Sequence, residues 1–232
     1  MSKNLDNKYF IILNKKEIIF SCLNNENKIT FIKKHSLNDC SNNLFKQLEK
    51  FINDNLINIE KSLNDFIRKI YIIMDRDNNL SVNLSIKNNL GIKKISKKNI
   101  NDLLIFLKYQ FTKYNNDQKI IHIKITKSMI DGEEKNLSLV NETYKNLILE
   151  VRFECLSNQT DYILKKLFSN YQISVEKIFI AKYLRESFEN QSDNLIYLAN
   201  NIIIGKNNNE VSWILKKPNK QSFFERFFNF FD

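Results

Sequence analysis

The order of strand-like and helix-like segments constrains the fold of this chain most. Three short runs rich in β-branched and aromatic residues, 8–13, 16–23 and 28–34, are separated by turns of Asn and Lys. This pattern predicts a small antiparallel meander. From Leu44 to Ile67 the apolar residues recur at steps of three and four, which predicts a helix with one buried stripe. The chain therefore opens as a sheet with a covering helix.

The stretch from 69 to 180 alternates further strands with two helices. Ser96 is a suitable N-cap for the first helix, and Asp131 with Gly132 predicts a turn. The sequence indicates an α+β fold, with an antiparallel-rich sheet covered by helices on one face. The predicted strands are 69–75, 80–86, 119–126, 146–155 and 172–180, with the first two paired through a polar turn, and the predicted helices are 97–114 and 159–170.

The C-terminal segment carries the clearest chemical signal. Residues 223–231 hold six of the eighteen Phe, and at about 100° per residue these six fall within an arc of roughly 160°. An aromatic face beside lysines is typical of a helix that lies in the headgroup region of an anionic bilayer. Docking of the same helix into the protein's own core or a partner's groove is the alternative. The residues expected to contact lipid are Lys216, Lys217, Lys220, Phe223, Phe224, Arg226, Phe227, Phe228, Phe230 and Phe231.

The net charge of +10 suits a partner with an acidic surface, either anionic lipid or nucleic acid. Lys93, Lys94, Lys97 and Lys98 cluster ahead of an aromatic stretch at 106–114, which keeps a basic nucleic-acid-binding protein as an alternative. No nucleic-acid recognition motif is recognisable, so nucleic acid is not the expected partner. Three widely spaced cysteines indicate reduced thiols in the cytoplasm. The chain lacks an export signal and a spanning segment, so peripheral attachment is expected.

From residue 55 to 185 the segments resemble the bacterial cell-division protein family FtsA in their order. The stretch IEKSLNDFIRKIYIIMDRDNNLSVNLSIK is similar to the family's helix and strand pair, and KKISKKNINDLLIFLKYQF resembles the opening of its inserted 1C subdomain. In IIHIKITKSMIDGEE, His122, Asp131 and Gly132 stand at the family's spacing. The lysine-rich linker and the Phe-rich helix also resemble the family's membrane-targeting tail.

The resemblance implies a shortened actin-like protein without its nucleotide site. Actin-like ATPases bring backbone amides close to phosphate through glycine-rich turns. The corresponding stretch here, FIILNKKEIIF, has neither Gly nor Asp, and the whole chain has three glycines. We therefore expect no enzyme activity, no cofactor and no metal. His35 and His122 lack metal-ligand spacing and are interpreted as structural residues.

The expected function is a non-catalytic FtsA-like scaffold on the cytoplasmic face of the inner membrane. It would bind anionic lipids through its tail and assemble division proteins or further copies of itself. The family's contact with FtsZ is not part of this expectation, because the lobe that receives FtsZ is not recognisable. An adaptor of the pilus-assembly type, with the same ancestry, is a further alternative. The expected units are a 1A-like remnant at 1–68, a 1C-like subdomain at 69–180, a return segment at 181–215 and the helix at 216–232.

Overall fold

The computed structural model describes residues 7–37, 44–77, 79–135, 137, 143–188 and 192–206. These residues form two β-sheets and five helices. The strands are β1 Lys8–Asn14, β2 Glu17–Leu23, β3 Ile29–Ser36, β4 Lys69–Asp75, β5 Leu80–Lys94, β6 Gln118–Ile130, β7 Glu133–Glu134, β8 Thr143–Ser157 and β9 Ser174–Ile180. The helices are α1 Leu44–Leu63, α2 Lys97–Tyr114, α3 Asn158–Ser169, α4 Ala181–Ser187 and α5 Leu195–Ile203.

A five-stranded sheet in the order β3-β2-β1-β4-β9 forms the larger part of the described chain. The first three strands are an antiparallel meander, whereas β1, β4 and β9 run parallel. Helices cover both faces. Ile11 and Ile72 pack on one side with α1 and α3, while Phe10 and Ile73 pack on the other with α4 and α5. Because both faces of β4 are buried, its sequence reads as a nearly continuous apolar run.

The second sheet has four strands in the order β5-β8-β6-β7, with every pair antiparallel. It is inserted between β4 and α3 of the larger unit. Helix α2 covers one face, where Leu104, Leu107 and Phe111 meet Leu149 and Phe153. Strand β5 lies at the edge, and residues 81–89 alternate between exposed and half-buried, as expected for an edge strand with one covered face.

The predicted pairing of 69–75 with 80–86 is wrong. Strand β4 pairs with β1 and β9, and β5 pairs with β8 in the other sheet. The physical reason is burial, since an apolar strand such as β4 is stable in the centre of a sheet whereas the alternating β5 fits an edge. The strands grouped as one 69–180 unit therefore lie in two sheets, and the inserted sheet runs from Leu80 to Ser157.

Several local predictions are confirmed. The Ser96 hydroxyl accepts a hydrogen bond from the Asn99 amide at 3.2 Å and caps α2. Asp131 and Gly132 both have positive φ, at 48° and 92°, and turn the chain after β6. The α+β class with antiparallel-rich sheets is also confirmed. The prediction of helices on one face holds for the four-stranded sheet, whereas the five-stranded sheet has helices on both faces.

The segments after α3 carry more structure than the sequence predicted. The stretch interpreted as a return segment, 181–215, contains α4 and α5. Their apolar residues complete the core on the second face of the larger sheet. None of the described helices is long and apolar enough to cross a membrane. The predicted tail helix at 216–232 lies outside the described residues.

Candidate functional site

A cleft of about 180 Å³ lies where the inserted sheet meets the edge of the larger sheet. Its walls come from the start of β6, one side of α3 and the outer edge of β9. The apolar residues of the lining are half-buried or buried, and among the charged ones Asp161 is buried as well. The lining residues are Lys119, Ile120, Ile121, Asp161, Lys165, Val175, Glu176, Lys177 and Ile178.

The edge of β9 gives the cleft its shape. Strand β9 pairs with β4 on one side only, and β6 runs beside its other side in a separate sheet. The two strands meet at one end, where the Ile180 amide donates to Nε2 of His122 at 3.2 Å. Towards Val175 the strands are not joined by a ladder. An open strand edge can accept the backbone of another extended chain.

Three lysines and two acidic residues line the cleft, which leaves one net positive charge. The Asp161 carboxylate lies 2.6 Å from Lys119 Nζ and 3.0 Å from Lys165 Nζ. Burial lowers the pKa of the Lys119 ammonium, and Asp161 offsets part of this effect. Because two ammonium groups share one carboxylate, this side of the cleft is suited to an acidic group on a ligand.

Glu176, the second acidic residue of the cleft, has other partners. Its Oε1 accepts from the Ser174 hydroxyl at 2.8 Å and lies 3.8 Å from Lys69 Nζ. Lys177 lies with its Nζ 5.2 Å from the centre of the Phe179 ring. Both charged side chains on this edge of β9 therefore already have partners within the chain.

His122 joins the inserted sheet to the larger unit. It is buried, and its ring stacks on Tyr183 of α4 with centroids 4.1 Å apart and planes within 9°. Together with the hydrogen bond from Ile180, these contacts give the residue a structural role. His35 is also placed by packing, with its ring centroid 5.8 Å from that of Phe51. Within the described ranges, no group of three His, Cys, Asp or Glu could hold a metal ion.

Glu154 is a buried carboxylate at the same junction, next to His122 in the strand register. Its Oε1 accepts from the Ser81 hydroxyl at 2.8 Å. Burial raises the pKa of Glu154, and the hydrogen bond from Ser81 acts in the opposite direction. Nearby, an ion pair joins the inserted sheet to α4, with Nη1 of Arg152 lying 2.5 Å from Oε2 of Glu186. The junction between the two sheets is therefore polar and closely packed.

The ends of the parallel strands β1 and β4 are closed by the chain's own side chains. Nη1 and Nη2 of Arg185 donate to Oδ1 and Oδ2 of Asp75, at 2.9 and 2.8 Å. Lys15 pairs with Asp77, and Arg76 donates to the Asn14 carbonyl at 3.2 Å. Asp75 and Asp77, interpreted from the sequence as turn residues, are thus each paired with a basic side chain.

The ten predicted lipid-contacting residues, from Lys216 to Phe231, lie outside the described residues. Of the lysine cluster proposed for nucleic acid, Lys98 is exposed on α2, and the side chains of Lys93, Lys94 and Lys97 are not described. The cleft residues were missed by sequence reasoning. Asp161 and Lys165 are visible as an i, i+4 pair, but Lys119 joins them across 42 positions.

Comparisons with known proteins give partial structural likeness only. No family model matches the sequence, and no curated protein matches it. A chain of the PilM–PilN type IV pilus biogenesis complex is 5% identical with a TM-score of 0.47, over 76% of this chain and 48% of that one. The cytoplasmic domain of EpsL, an inner-membrane component of the Vibrio cholerae type II secretion system, is 7% identical with a TM-score of 0.40, over 77% and 59%.

A third structure is a Bacteroides thetaiotaomicron protein with an actin-like ATPase fold and unknown function. It is 10% identical with a TM-score of 0.37, over 78% of this chain and 56% of that one. The chain thus spans about half the length of the solved structures that it matches.

Proposed function

We propose that this chain is a non-catalytic adaptor of actin-like ancestry that holds an extended segment of a partner protein in the cleft between β6, α3 and β9. The observation that carries the proposal is the open outer edge of β9 inside a half-apolar cleft rimmed by lysines. A peptide that adds to such an edge gains backbone hydrogen bonds, while its alternate side chains contact the pocket. Adaptors require a binding site of this kind and no chemistry.

The actin-like ancestry is supported by the arrangement of the two sheets. A meander is continued by two parallel strands, and a separate sheet is inserted between them, as the resemblance to FtsA implied. The strand ends that would face a nucleotide carry no glycine turn. Asn14 closes the turn after β1 by accepting from the amides of Lys16 and Glu17, both at 2.7 Å. Together with the Arg185–Asp75 pair, this favours a protein without nucleotide chemistry.

Within this class, an adaptor of the pilus-assembly type is the first candidate because a peptide-binding cleft is all that it requires. A division scaffold of the FtsA type is the second candidate, favoured by the order of segments and by the Phe-rich tail. In either case we propose peripheral attachment to the inner membrane through residues 216–232. The partner expected for the cleft is an extended segment with alternating apolar side chains and at least one acidic group.

Selection from a library of displayed random peptides tests this function on the intact chain. Enriched peptides are expected to share alternating apolar residues with an acidic residue among them. Lys165→Glu should weaken their binding by about tenfold or more, because a like charge then faces the acidic group. The matched control is Lys166→Glu, one residue further along α3 and outside the cleft, which should leave binding unchanged. A failure to enrich peptides, or equal losses in the two variants, would contradict the proposal.

A further inference from the structure

Helix α2 presents an outer face that the proposed cleft does not use. Ile105, Phe106 and Tyr109 are 47%, 50% and 61% exposed, and they fall within an arc of about 100° on the helix. The opposite side of α2 packs on the four-stranded sheet through Leu104, Leu107 and Phe111, among others. The exposed Asp102 falls within the same arc. We name this side of the helix, with Ile105, Phe106 and Tyr109, the α2 outer face.

Clustering distinguishes this surface from ordinary exposed apolar residues. Of ten large hydrophobic side chains exposed in the described residues, three lie in this one arc of α2. Tyr114, at the end of the helix, falls outside the arc. The others are scattered over several elements, such as Phe66 after α1. Single exposed apolar side chains need no explanation, whereas a cluster of this kind marks an interaction surface.

Charge indicates which partner the α2 outer face fits. Lys98, Lys108 and Lys113 are exposed on the same helix, and Asp102 is the one exposed acidic residue on it, which leaves two net positive charges. Aromatic side chains beside lysines suit the headgroup region of an anionic membrane, where rings lie at the apolar boundary and ammonium groups meet phosphate. Each basic residue near such a surface strengthens binding by about fivefold.

We propose that the α2 outer face is a second lipid-contacting surface, which lies on an anionic membrane beside the attachment of the tail. This inference rests on the proposed peripheral attachment. A protein held by a single lipid chain binds membranes marginally and reversibly, and stable attachment takes a second signal such as a basic surface. A second weak contact between the same molecule and the same bilayer adds to the overall affinity. The inserted sheet then has a fixed orientation on the membrane.

The test measures co-sedimentation of the full chain with vesicles of phosphatidylglycerol and phosphatidylcholine. The tail is disabled by Phe224→Glu with Phe227→Glu, so that the remaining binding reports on α2. This remaining binding should be weak, absent on pure phosphatidylcholine and reduced by salt. Adding Phe106→Glu should lower it by about tenfold. The matched control is Phe66→Glu, which makes the same change at a lone phenylalanine that is 74% exposed.

Each arm of the test has a separate meaning. The difference between the intact chain and the tail variant measures the tail, and the difference between Phe106→Glu and Phe66→Glu measures α2. Equal binding of these two variants would overturn the inference and assign the α2 outer face to a protein partner. No binding by the tail variant would overturn it as well. Peptide binding by the cleft is measured without vesicles, so its failure is distinguishable from both.

Discussion

At the scale of a single residue, burial of the Glu154 carboxylate where the two sheets meet costs free energy. Its side chain is 0% exposed, and its direct hydrogen-bond donors are Ser81 at 2.8 Å and Asn79 at 3.4 Å. Arg152, one pleat away on β8, is instead held by Glu186. A carboxylate in this position loses hydration that two neutral donors replace only in part. Burial accordingly raises the pKa of Glu154.

Glu154→Gln is expected to stabilise the fold at pH 8. Because the pKa is raised in the folded state, the folded protein binds this proton more tightly than the unfolded chain. The carboxylate therefore destabilises the fold increasingly as the pH rises from the unfolded-state pKa through the folded-state pKa. Glutamine keeps an acceptor for Ser81 without the charge. We expect a gain of about 1 kcal/mol, or roughly 2–4 °C in melting temperature.

Thermal unfolding followed by circular dichroism at pH 4 and pH 8 checks this prediction. The gain should be present at pH 8 and should fall towards zero at pH 4, where the unfolded chain is also largely protonated at this side chain. Glu150→Gln, on the same strand and only partly buried, is the control and should show little gain. A melting temperature that is equally changed at both pH values would contradict the assignment of the cost to a buried charge.

At the scale of the elements, the first turn of α2 is stabilised by its N-cap. Ser96 and Asn99 form a capping box, with the Ser96 amide donating to Asn99 Oδ1 at 3.1 Å. Ser96→Ala should destabilise the protein by about 1 kcal/mol. Amide hydrogen exchange in residues 97–101 should become faster, while exchange in α3 should not change.

Ser85→Ala, at an exposed position of β5, is the matched control for the cap. The change in side chain is the same, but no helix amide loses a partner. Unchanged exchange at the start of α2 in Ser96→Ala would show that packing on the sheet, and not the cap, holds the first turn.

The elements could be predicted from the sequence because their signals are local. Helix α1 follows from the spacing of its buried residues, such as Leu48, Phe51 and Ile52. The Ser96 cap follows from a side chain that bonds to nearby backbone, and the turn at Asp131 and Gly132 follows from residue types that tolerate positive φ. The pairing of β4 could not be predicted in this way. Its partners β1 and β9 lie about 60 and 105 residues away, and a polar turn before β5 is equally compatible with a hairpin and with a change of sheet.

The candidate site could not be predicted from the sequence either, because its residues are also distant from one another along the chain. Its residues come from β6, α3 and β9, and their meeting depends on the insertion of one sheet beside the edge of another. Lys119 and Asp161 are ordinary surface residue types until the fold places them 2.6 Å apart. The Phe-rich tail differs from the cleft. Its amphipathic pattern can be interpreted from the sequence alone, but its residues lie outside those that the structure describes.

For the whole molecule, the two sheets together make the cleft. His122 anchors one end of it through Ile180 and Tyr183, and the Arg152–Glu186 pair supports the junction from the side. From this anchored end the open edge of β9 continues along the cleft, next to half-buried isoleucines of β6. In the proposed adaptor, a closely packed junction would preorganise the cleft for its partner, which lowers the entropic cost of binding.

Site-specific photo-crosslinking in the host cell tests the central claim most directly. A photoreactive amino acid replaces Val175 in the cleft or, as the control, Tyr162 on the exposed side of α3. The account predicts one dominant crosslinked partner from position 175, attached through an extended segment that carries acidic residues, and none in common from position 162. Lys165→Glu should remove the product. No product at 175, or the same products at both positions, would contradict an adaptor that binds its partner in this cleft.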